Sequence, residues 1–179
     1  MTEAANPALS PSAPRVDTPR LCLRGFRPDD LDAYAAMCAD AEVMRHIGAG
    51  GPVGRDNAWR QMAIFIGSWA LLGYGMWAIE ERASGRLVGR AGFLHPPDWP
   101  DCELGWLLGR EFWGRGYALE AAGAARDHGR RALGVGRLIS LIRPANERSL
   151  RLAERLGAVP GGRIDFLGGD TWVYVHPGR

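Results

Sequence analysis

Hydrophobic positions recur with a period of two in some segments of the chain and with a helical period in others. Alternation within residues 18–27 predicts an opening strand. Apolar residues at spacings of three and four predict a first helix over residues 28–39 and a second over residues 56–72. The chain is therefore expected to begin as strand, helix, helix.

The middle of the chain reads as strands separated by polar turns. Residues 76–80 and 87–94 form two short apolar runs, and the polar, glycine-containing link between them predicts a hairpin. A Pro-rich turn leads to a strand over residues 102–108, and an Ala-rich helix follows from residue 117 to about residue 133.

The last quarter of the chain predicts a strand over residues 137–143 and a helix over residues 146–156, which ends at Gly157. A closing hairpin is expected from residues 165–167 and 171–175. The predicted order of elements is β-α-α-β-β-β-α-β-α-β-β.

A Gly-rich turn joins the strand at 102–108 to the helix that begins near Tyr117, with Gly114 and Gly116 on either side of Arg115. Such a turn points several backbone N–H groups and the positive end of a helix dipole at one place, which is typical of a phosphate site. An ordinary strand-to-helix connection is the alternative. A Walker loop is excluded because the chain has no Lys, and a dinucleotide fingerprint would need glycine where Leu119 stands.

The charge distribution favours a polyanionic ligand at this turn. The net charge of +2 is too small to indicate nucleic acid or a membrane surface. However, residues 1–109 carry 10 Arg against 13 acidic residues, whereas residues 110–155 carry 10 Arg against 5. Solvated helix faces are the alternative use of this basic excess.

Composition also predicts the compartment and the domain boundaries. Cys22, Cys38 and Cys102 form no CxxC pair, which indicates free thiols, a reducing and hence cytoplasmic location, and no metal site. Residues 1–16 are predicted to be a disordered leader and residues 17–177 a single domain. No apolar run approaches the roughly 20 residues that span a bilayer.

Two motifs resemble those of the GCN5-related N-acetyltransferases (GNAT). Residues 111–116, Glu-Phe-Trp-Gly-Arg-Gly, are similar to the family's acetyl-CoA loop Gln/Arg-x-x-Gly-x-Gly/Ala, although Glu111 departs from its first position. Residues 146–158, with Asn146, Ser149 and Leu156-Gly157-Ala158, resemble the family's Asn-x-x-Ser…Leu-Gly-Phe segment. The sequence Trp-Gly-Arg-Gly-Tyr-Ala of residues 113–118 most resembles that of the branch containing the ribosomal-protein N-terminal acetyltransferases.

The resemblance covers residues 18–176 and implies the GNAT fold of the α/β (α+β) class. This fold is a mixed, mostly antiparallel sheet of about six to seven strands flanked by four helices and splayed at the acetyl-CoA cleft. It also implies acetyl-CoA as cosubstrate, with its pyrophosphate on the amides of Gly114, Gly116, Tyr117 and Ala118. Further contacts that it implies are the main chain of Leu107 and Leu108 with pantetheine, Asn146 and Ser149 beside pantetheine and adenine, and Arg110 and Arg115 with the phosphates or with solvent.

Transfer to an amine needs a proton acceptor, because only a neutral amine can attack. The resemblance makes Glu103 the candidate base, and an exposed strand-end carboxylate is the alternative. The Leu107 N–H would polarise the thioester carbonyl. Many relatives supply a Tyr for the departing thiolate where this chain has Ala153, so Ser149 is the substitute candidate. Weaker candidates for the base are Glu80, Asp98 and Asp101. Cys102 is expected to pack in the core, and the four histidines, which fall in loops, a helix and the tail, are expected to be structural.

The leading functional hypothesis is an N-acetyltransferase that moves acetyl directly from acetyl-CoA to a primary amine, such as a protein N-terminal α-amine. A small-molecule acetyltransferase for an antibiotic, polyamine or amino acid is the nearest alternative, and a non-catalytic acyl-CoA-binding sensor is an alternative of another class. No nucleic-acid motif and no membrane segment is expected. A homodimer through the C-terminal strands is compatible with the resemblance.

Overall fold

A single eight-stranded sheet organises the described residues of the computed structural model, which are 13–132, 134 and 136–178. Its order is β1-β2-β3-β4-β5-β6-β8-β7, antiparallel throughout except for the parallel neighbours β5 and β6. The strands are β1 (Val16–Asp17), β2 (Leu21–Arg24), β3 (Met76–Glu81), β4 (Leu87–Leu94), β5 (Cys102–Leu108), β6 (Leu138–Ile142), β7 (Val159–Asp165) and β8 (Asp170–His176).

Helices cover both faces of this sheet. They are α1 (Leu31–Ala39), α2 (Ala41–Met44), α3 (Arg55–Leu72), α4 (Tyr117–Ala132) and α5 (Glu147–Arg155), with 3-10 turns at Pro28–Asp30 and Arg110–Phe112. On one face α1 and α3 meet through Tyr34 and Phe65, whose ring centroids are 6.2 Å apart. No helix within the described residues is long and apolar enough to cross a membrane.

Helix α4 covers the other face at unusually close range because its inner residues are small. Ala121, Ala122 and Ala125 are fully buried. At Gly129 an added Cβ would lie 2.3 Å from the ring of Phe93 on β4, so only glycine fits there. This close packing fixes the N-terminus of α4 beside the end of β5.

The predicted α/β class, with a mixed and mostly antiparallel sheet, is confirmed, but the element counts need correction. The described residues form eight strands and five α-helices, where six to seven strands and four helices were expected. Strand β7 occupies Val159–Asp165, whereas the prediction placed it at residues 165–167. Pro160 and the two glycines after it argue against a strand, and here they sit at a register shift in an edge strand, where such residues are tolerated.

The predicted boundary between the leader, residues 1–16, and the domain also differs from the structure. Residues 1–12 lie outside the described residues. Residues 13–16 are part of the fold, because Pro14 O accepts a 2.7 Å hydrogen bond from the buried Trp77 indole and Val16 begins β1. The domain therefore includes residues that the composition had assigned to the leader.

Candidate functional site

A cleft opens where β5 and β6 separate. The two strands pair at Cys102–Leu138 and Glu103–Ile139, and their ladder extends no further in the described chain. One step on, the Ser140 hydroxyl donates to Leu104 O over 2.7 Å. Beyond that contact the strands no longer pair, and a cavity of about 980 Å³ lies against the end of β5.

The cavity is bounded by the end of β5, the Gly-rich turn, the first turns of α4 and α5, and α2 with the loop after it. Eight of the predicted cofactor residues therefore face one space, although they come from three separate elements. The lining residues are 42, 43, 45–47, 106–108, 112–114, 116–119, 145–149, 151, 152 and 155.

The turn before α4 presents backbone donors to this cavity. Gly114 and Gly116 have φ angles of +76° and +77°, a conformation that favours glycine. The N–H groups of residues 114–119 have no hydrogen-bond acceptor within the described chain, and α4 begins at Tyr117. Unpaired donors at a helix N-terminus form a site for an anion such as a pyrophosphate.

Successive residues of β5 direct their main-chain N–H and C=O groups alternately toward β4 and toward β6. This alternation corrects the role expected for the Leu107 N–H. Phe93 donates its N–H toward the β3 side, to Gly75 O, so the Phe93–Leu104 pair does not exchange hydrogen bonds. Accordingly, Leu104 O points to β6, where it meets Ser140. Counting on from Leu104, the N–H of Leu107 points to β4 and not into the cleft.

The same alternation turns the main chain of Trp106 and Leu108 toward the cleft. Leu108 O accepts from the Trp113 indole over 2.9 Å, which leaves the Leu108 N–H and both main-chain groups of Trp106 available. Leu107 still lines the cavity. The register between β4 and β5, which decides this parity, cannot be read from the residues of β5 alone.

Glu103 lies where β5 still pairs with β6, and its half-buried carboxylate is not part of the lining of the large cavity. The carboxylate lies beside Gly105, where an added Cβ would be 3.6 Å from Glu103 Oε1. Glu103 Oε2 accepts from the Trp99 indole over 2.8 Å. Burial raises the pKa of Glu103, while the Trp99 hydrogen bond and the charge of Arg90 act in the opposite direction.

Asn146 and Ser149 are brought together at the start of α5. Asn146 caps the helix, because its Oδ1 accepts from the Ser149 N–H over 3.2 Å. The Ser149 hydroxyl oxygen accepts from the Trp106 indole over 3.1 Å, which leaves its own proton free to be donated. Ala153, one turn further on, is fully buried and carries no proton to give.

Arg110 and Arg115, by contrast, are absent from the cavity lining. The Arg110 guanidinium lies 3.0 Å from Asp40 on the far side of the turn. Arg115 turns its side chain toward the Phe112 ring and its carbonyl toward Arg20. The expectation that these two cations meet the phosphates is not supported by their placement.

Three arginines that the sequence analysis did not single out line the large cavity. Arg148, Arg151 and Arg155 lie on one face of α5 at spacings of three and four, and all three line the cavity. The Arg148 guanidinium stacks 4.3 Å from the Trp113 ring. Their helical spacing was readable from the sequence, and with the basic excess of residues 110–155 it could have identified them.

A second, smaller cavity of about 410 Å³ adjoins the first and shares Arg45, His46 and Ala145 with it. Its other side is the turn between β7 and β8. Arg143 ties that turn to the loop after α2, since it donates to Leu167 O and Gly48 O at 3.2 and 3.3 Å. On this side the large cavity is thus bordered by further open space.

Comparisons with known proteins agree with this geometry. A family model described as Acetyltransferase (GNAT) domain matches residues 20–159. An acetyltransferase of known structure from Agrobacterium tumefaciens str. C58 shares 33% identity and a TM-score of 0.82, over 93% of this chain and 96% of that one. The uncharacterized N-acetyltransferase YoaA of Bacillus subtilis (strain 168) is 28% identical over 145 residues, which are 80% of this chain and 82% of that protein.

A third similar protein is RimL, a ribosomal L7/L12 α-N-protein acetyltransferase whose structure was solved in complex with coenzyme A. It has a TM-score of 0.75 and 18% identity, over 90% of this chain and 97% of that one. At that identity the likeness shows the fold alone.

Proposed function

The chain belongs to the GNAT family of acetyl-CoA-dependent acyltransferases, and we propose that it transfers acetyl directly to a primary amine of a protein N-terminus. The resemblance of its two motifs to this family is confirmed by the family match. The observation that carries the assignment of the site is the run of unpaired N–H groups at residues 114–119, which faces the gap between β5 and β6.

In this proposal the pyrophosphate of acetyl-CoA binds the amides of Gly114, Gly116, Tyr117 and Ala118. The pantetheine lies in the gap and pairs with the cleft-facing groups of Trp106 and Leu108 as an added strand. The Leu108 or Trp106 N–H then takes the part of the oxyanion donor that Leu107 was expected to play. Asn146 and Ser149 border the pantetheine, and the arginines of α5 face the phosphates.

Glu103 is the proposed base. Its raised pKa makes it a better match for a proton taken from an amine near neutral pH than an ordinary carboxylate would be. The amine nitrogen forms a bond to the thioester carbonyl carbon, the carbon–sulfur bond breaks, and the amine proton passes to Glu103. The departing thiolate takes its proton from the Ser149 hydroxyl or from water.

The properties of Cys102, the residue before Glu103, support direct transfer without an acetyl-cysteine intermediate. Cys102 is buried, and burial raises its pKa to about 12, so it is a poor nucleophile. A covalent acetyl-cysteine at this position would require a thiolate that the surroundings do not stabilise.

A protein N-terminus is the proposed acceptor because the cleft is open at the side of the smaller cavity, where a chain end could enter. The resemblance of the residues Trp-Gly-Arg-Gly-Tyr-Ala to the ribosomal-protein branch of the family supports the same choice. A sensor that binds acyl-CoA without turnover is the alternative, and the absence of a phenol at Ala153 favours it. Both readings require acetyl-CoA to bind.

The test combines binding with turnover. Calorimetric titration should show that acetyl-CoA and free CoA bind and that ATP does not compete, and Gly116→Trp should abolish binding because an indole would block the turn. Wild-type protein should then release CoA thiol in the presence of peptides with free N-termini, more than with polyamines or amino acids.

Variants at two glutamates separate the chemistry from the binding. Glu103→Gln should lower turnover by roughly 100-fold or more with an unchanged dissociation constant for acetyl-CoA, whereas Glu111→Gln, an exposed carboxylate paired with Arg86, should resemble wild type. Tight binding without turnover on any amine would favour the sensor, and no binding would refute both readings.

A further inference from the structure

Arg20 reaches from the segment before β2 to the back of the Gly-rich turn. Its guanidinium donates to Arg115 O over 2.8 Å and lies 4.7 Å from the centroid of the Tyr117 ring. An added Cβ at Gly116 would lie 3.4 Å from the Arg20 guanidinium, so Arg20 packs directly behind the turn. Arg20 itself does not line the large cavity.

The contact to Arg115 O determines where the next N–H points. The Arg115 carbonyl and the Gly116 N–H belong to one peptide unit, and in a trans peptide they point in opposite directions. The described residues contain no cis peptide bond. Because Arg20 holds the carbonyl from behind, the Gly116 N–H points to the other side, where Gly116 lines the cavity.

Arg20 is itself held in place by Glu120, which bonds both its side chain and its main chain. Its Nε donates to Glu120 Oε2 over 2.7 Å, and its backbone N–H donates to Glu120 Oε1 over 2.9 Å. Thr18 donates to the same carboxylate over 2.6 Å. Although burial alone would raise the pKa of Glu120, these hydrogen bonds lower it, so the carboxylate is ionised and keeps its hold on Arg20.

The partner ring is fixed as well. Tyr117 donates its hydroxyl to Glu81, which also accepts from Ser84 over 2.6 Å. The guanidinium therefore lies between a fixed carboxylate and a fixed ring, with one donor directed at the turn.

We propose that Arg20 is a positioning residue for the cosubstrate: it orients the 115–116 peptide so that the Gly116 N–H binds the pyrophosphate of acetyl-CoA. This inference rests on the proposed function, because it concerns how the turn recognises that ligand. Arg20 acts from behind the turn and makes no contact with the phosphate.

The experiment compares a ligand that has the pyrophosphate with one that lacks it. Dissociation constants for acetyl-CoA and for S-acetylpantetheine are measured with wild type, Arg20→Met and Arg20→Lys. Arg15→Met is the matched control, since Arg15 lies in the same segment and forms an exposed ion pair with Asp17. The amide resonance of Gly116, and its hydrogen exchange, report directly on the orientation of the peptide.

Arg20→Met should raise the dissociation constant of acetyl-CoA about tenfold, the effect of one hydrogen bond to a charged group, and leave that of S-acetylpantetheine unchanged. Arg20→Lys should recover only part of the loss, because one ammonium cannot bind Glu120 and Arg115 O and also stack on Tyr117. Arg15→Met should match wild type.

Several results would overturn the inference. They are an unchanged affinity for acetyl-CoA in Arg20→Met, an equal loss for both ligands, and wild-type affinity in Arg20→Lys, which would mean that charge alone matters. If Arg20→Met does not fold, Glu120→Gln keeps the arginine but loosens it, and the same selective loss is expected. Failure of wild type to bind acetyl-CoA would instead refute the proposed function.

Discussion

The Trp106 indole donates to the Ser149 hydroxyl over 3.1 Å, and this bond joins β5 to α5 beside the large cavity. In this hydrogen bond the indole N–H is the donor and the hydroxyl oxygen is the acceptor, so the Ser149 hydroxyl hydrogen is available to another partner. Ser149 thus has two roles: it connects α5 to β5, and its hydroxyl can donate a hydrogen bond into the cavity.

Ser149→Ala is expected to lower turnover roughly tenfold while changing the dissociation constant of acetyl-CoA only a few-fold, because general acid assistance is lost and one half-buried donor loses its acceptor. Ser149→Thr should restore most of the turnover. Steady-state kinetics and calorimetry check this, and a variant with full turnover would leave Ser149 with the structural role alone.

The hydrogen bond from Trp99 to Glu103 predicts a shift in the pH profile. The indole stabilises the ionised carboxylate, so Trp99→Phe should raise the pKa of Glu103 further. The acid limb of kcat/KM should then move to higher pH, so that the variant is less active than wild type on the acid side of its profile. Trp59→Phe, on the exposed face of α3, is the control, and an unmoved limb would separate Glu103 from the rate-limiting proton transfer.

The arginines of α5 predict a salt-dependent contribution to binding. Arg148→Met should weaken acetyl-CoA binding several-fold at low ionic strength, and the difference from wild type should shrink as salt is added. Calorimetry at two salt concentrations measures this. Arg60→Met, which removes an exposed cation from α3, should leave binding unchanged, and equal effects of both variants would point to net charge as the cause.

His176 predicts a loss of stability in acid. It lies buried in β8, not in a tail as expected, and its Nε2 is 2.9 Å from the Ser140 hydroxyl. Burial, with Arg126 and Arg130 nearby, lowers its pKa to about 4 from 6.5. Between these values the unfolded chain binds a proton that the folded chain does not, so stability is full above about pH 6.5 and declines as the pH falls.

The expected loss is about 3 kcal/mol by pH 4, and other groups add their own contributions. Denaturant unfolding of wild type and His176→Phe at several pH values measures the difference. The variant should lose less stability between pH 6.5 and pH 4.5. His95→Gln is the control, because His95 is an exposed residue beyond β4, and parallel curves for His176→Phe and wild type would contradict the assignment.

Elements with strong periodicity were predictable, and side-chain direction was not. The bounds of β5 and the start of α4 were anticipated because an apolar run and a Gly-rich turn mark them locally. Strand β7 was misplaced because Pro160 and its glycines carry the local signal of a turn, and pairing with β8 overrides it.

The candidate site shows the same division. The unpaired amides before α4 were predictable because they depend on backbone conformation, which the two glycines of the turn indicate. The resemblance implied Arg110 and Arg115 as contacts of the phosphates or of solvent, and neither side chain lines the cavity. Arg148 does line it, although it follows the turn by 30 or more residues. The role of Leu107 depended on the register between strands, which only the folded sheet determines.

The brief pairing of β5 with β6 means that the sheet is incomplete without its ligand. Two residue pairs and one hydroxyl join β5 to β6, so a molecule that pairs with the free main chain of β5 binds the folded chain alone. Such a ligand adds RT ln(1 + [L]/Kd) to the free energy of unfolding, which is about 2.7 kcal/mol at a hundredfold excess over Kd. The lifetime of this protein against proteolysis would then follow the cell's total supply of coenzyme A and its thioesters.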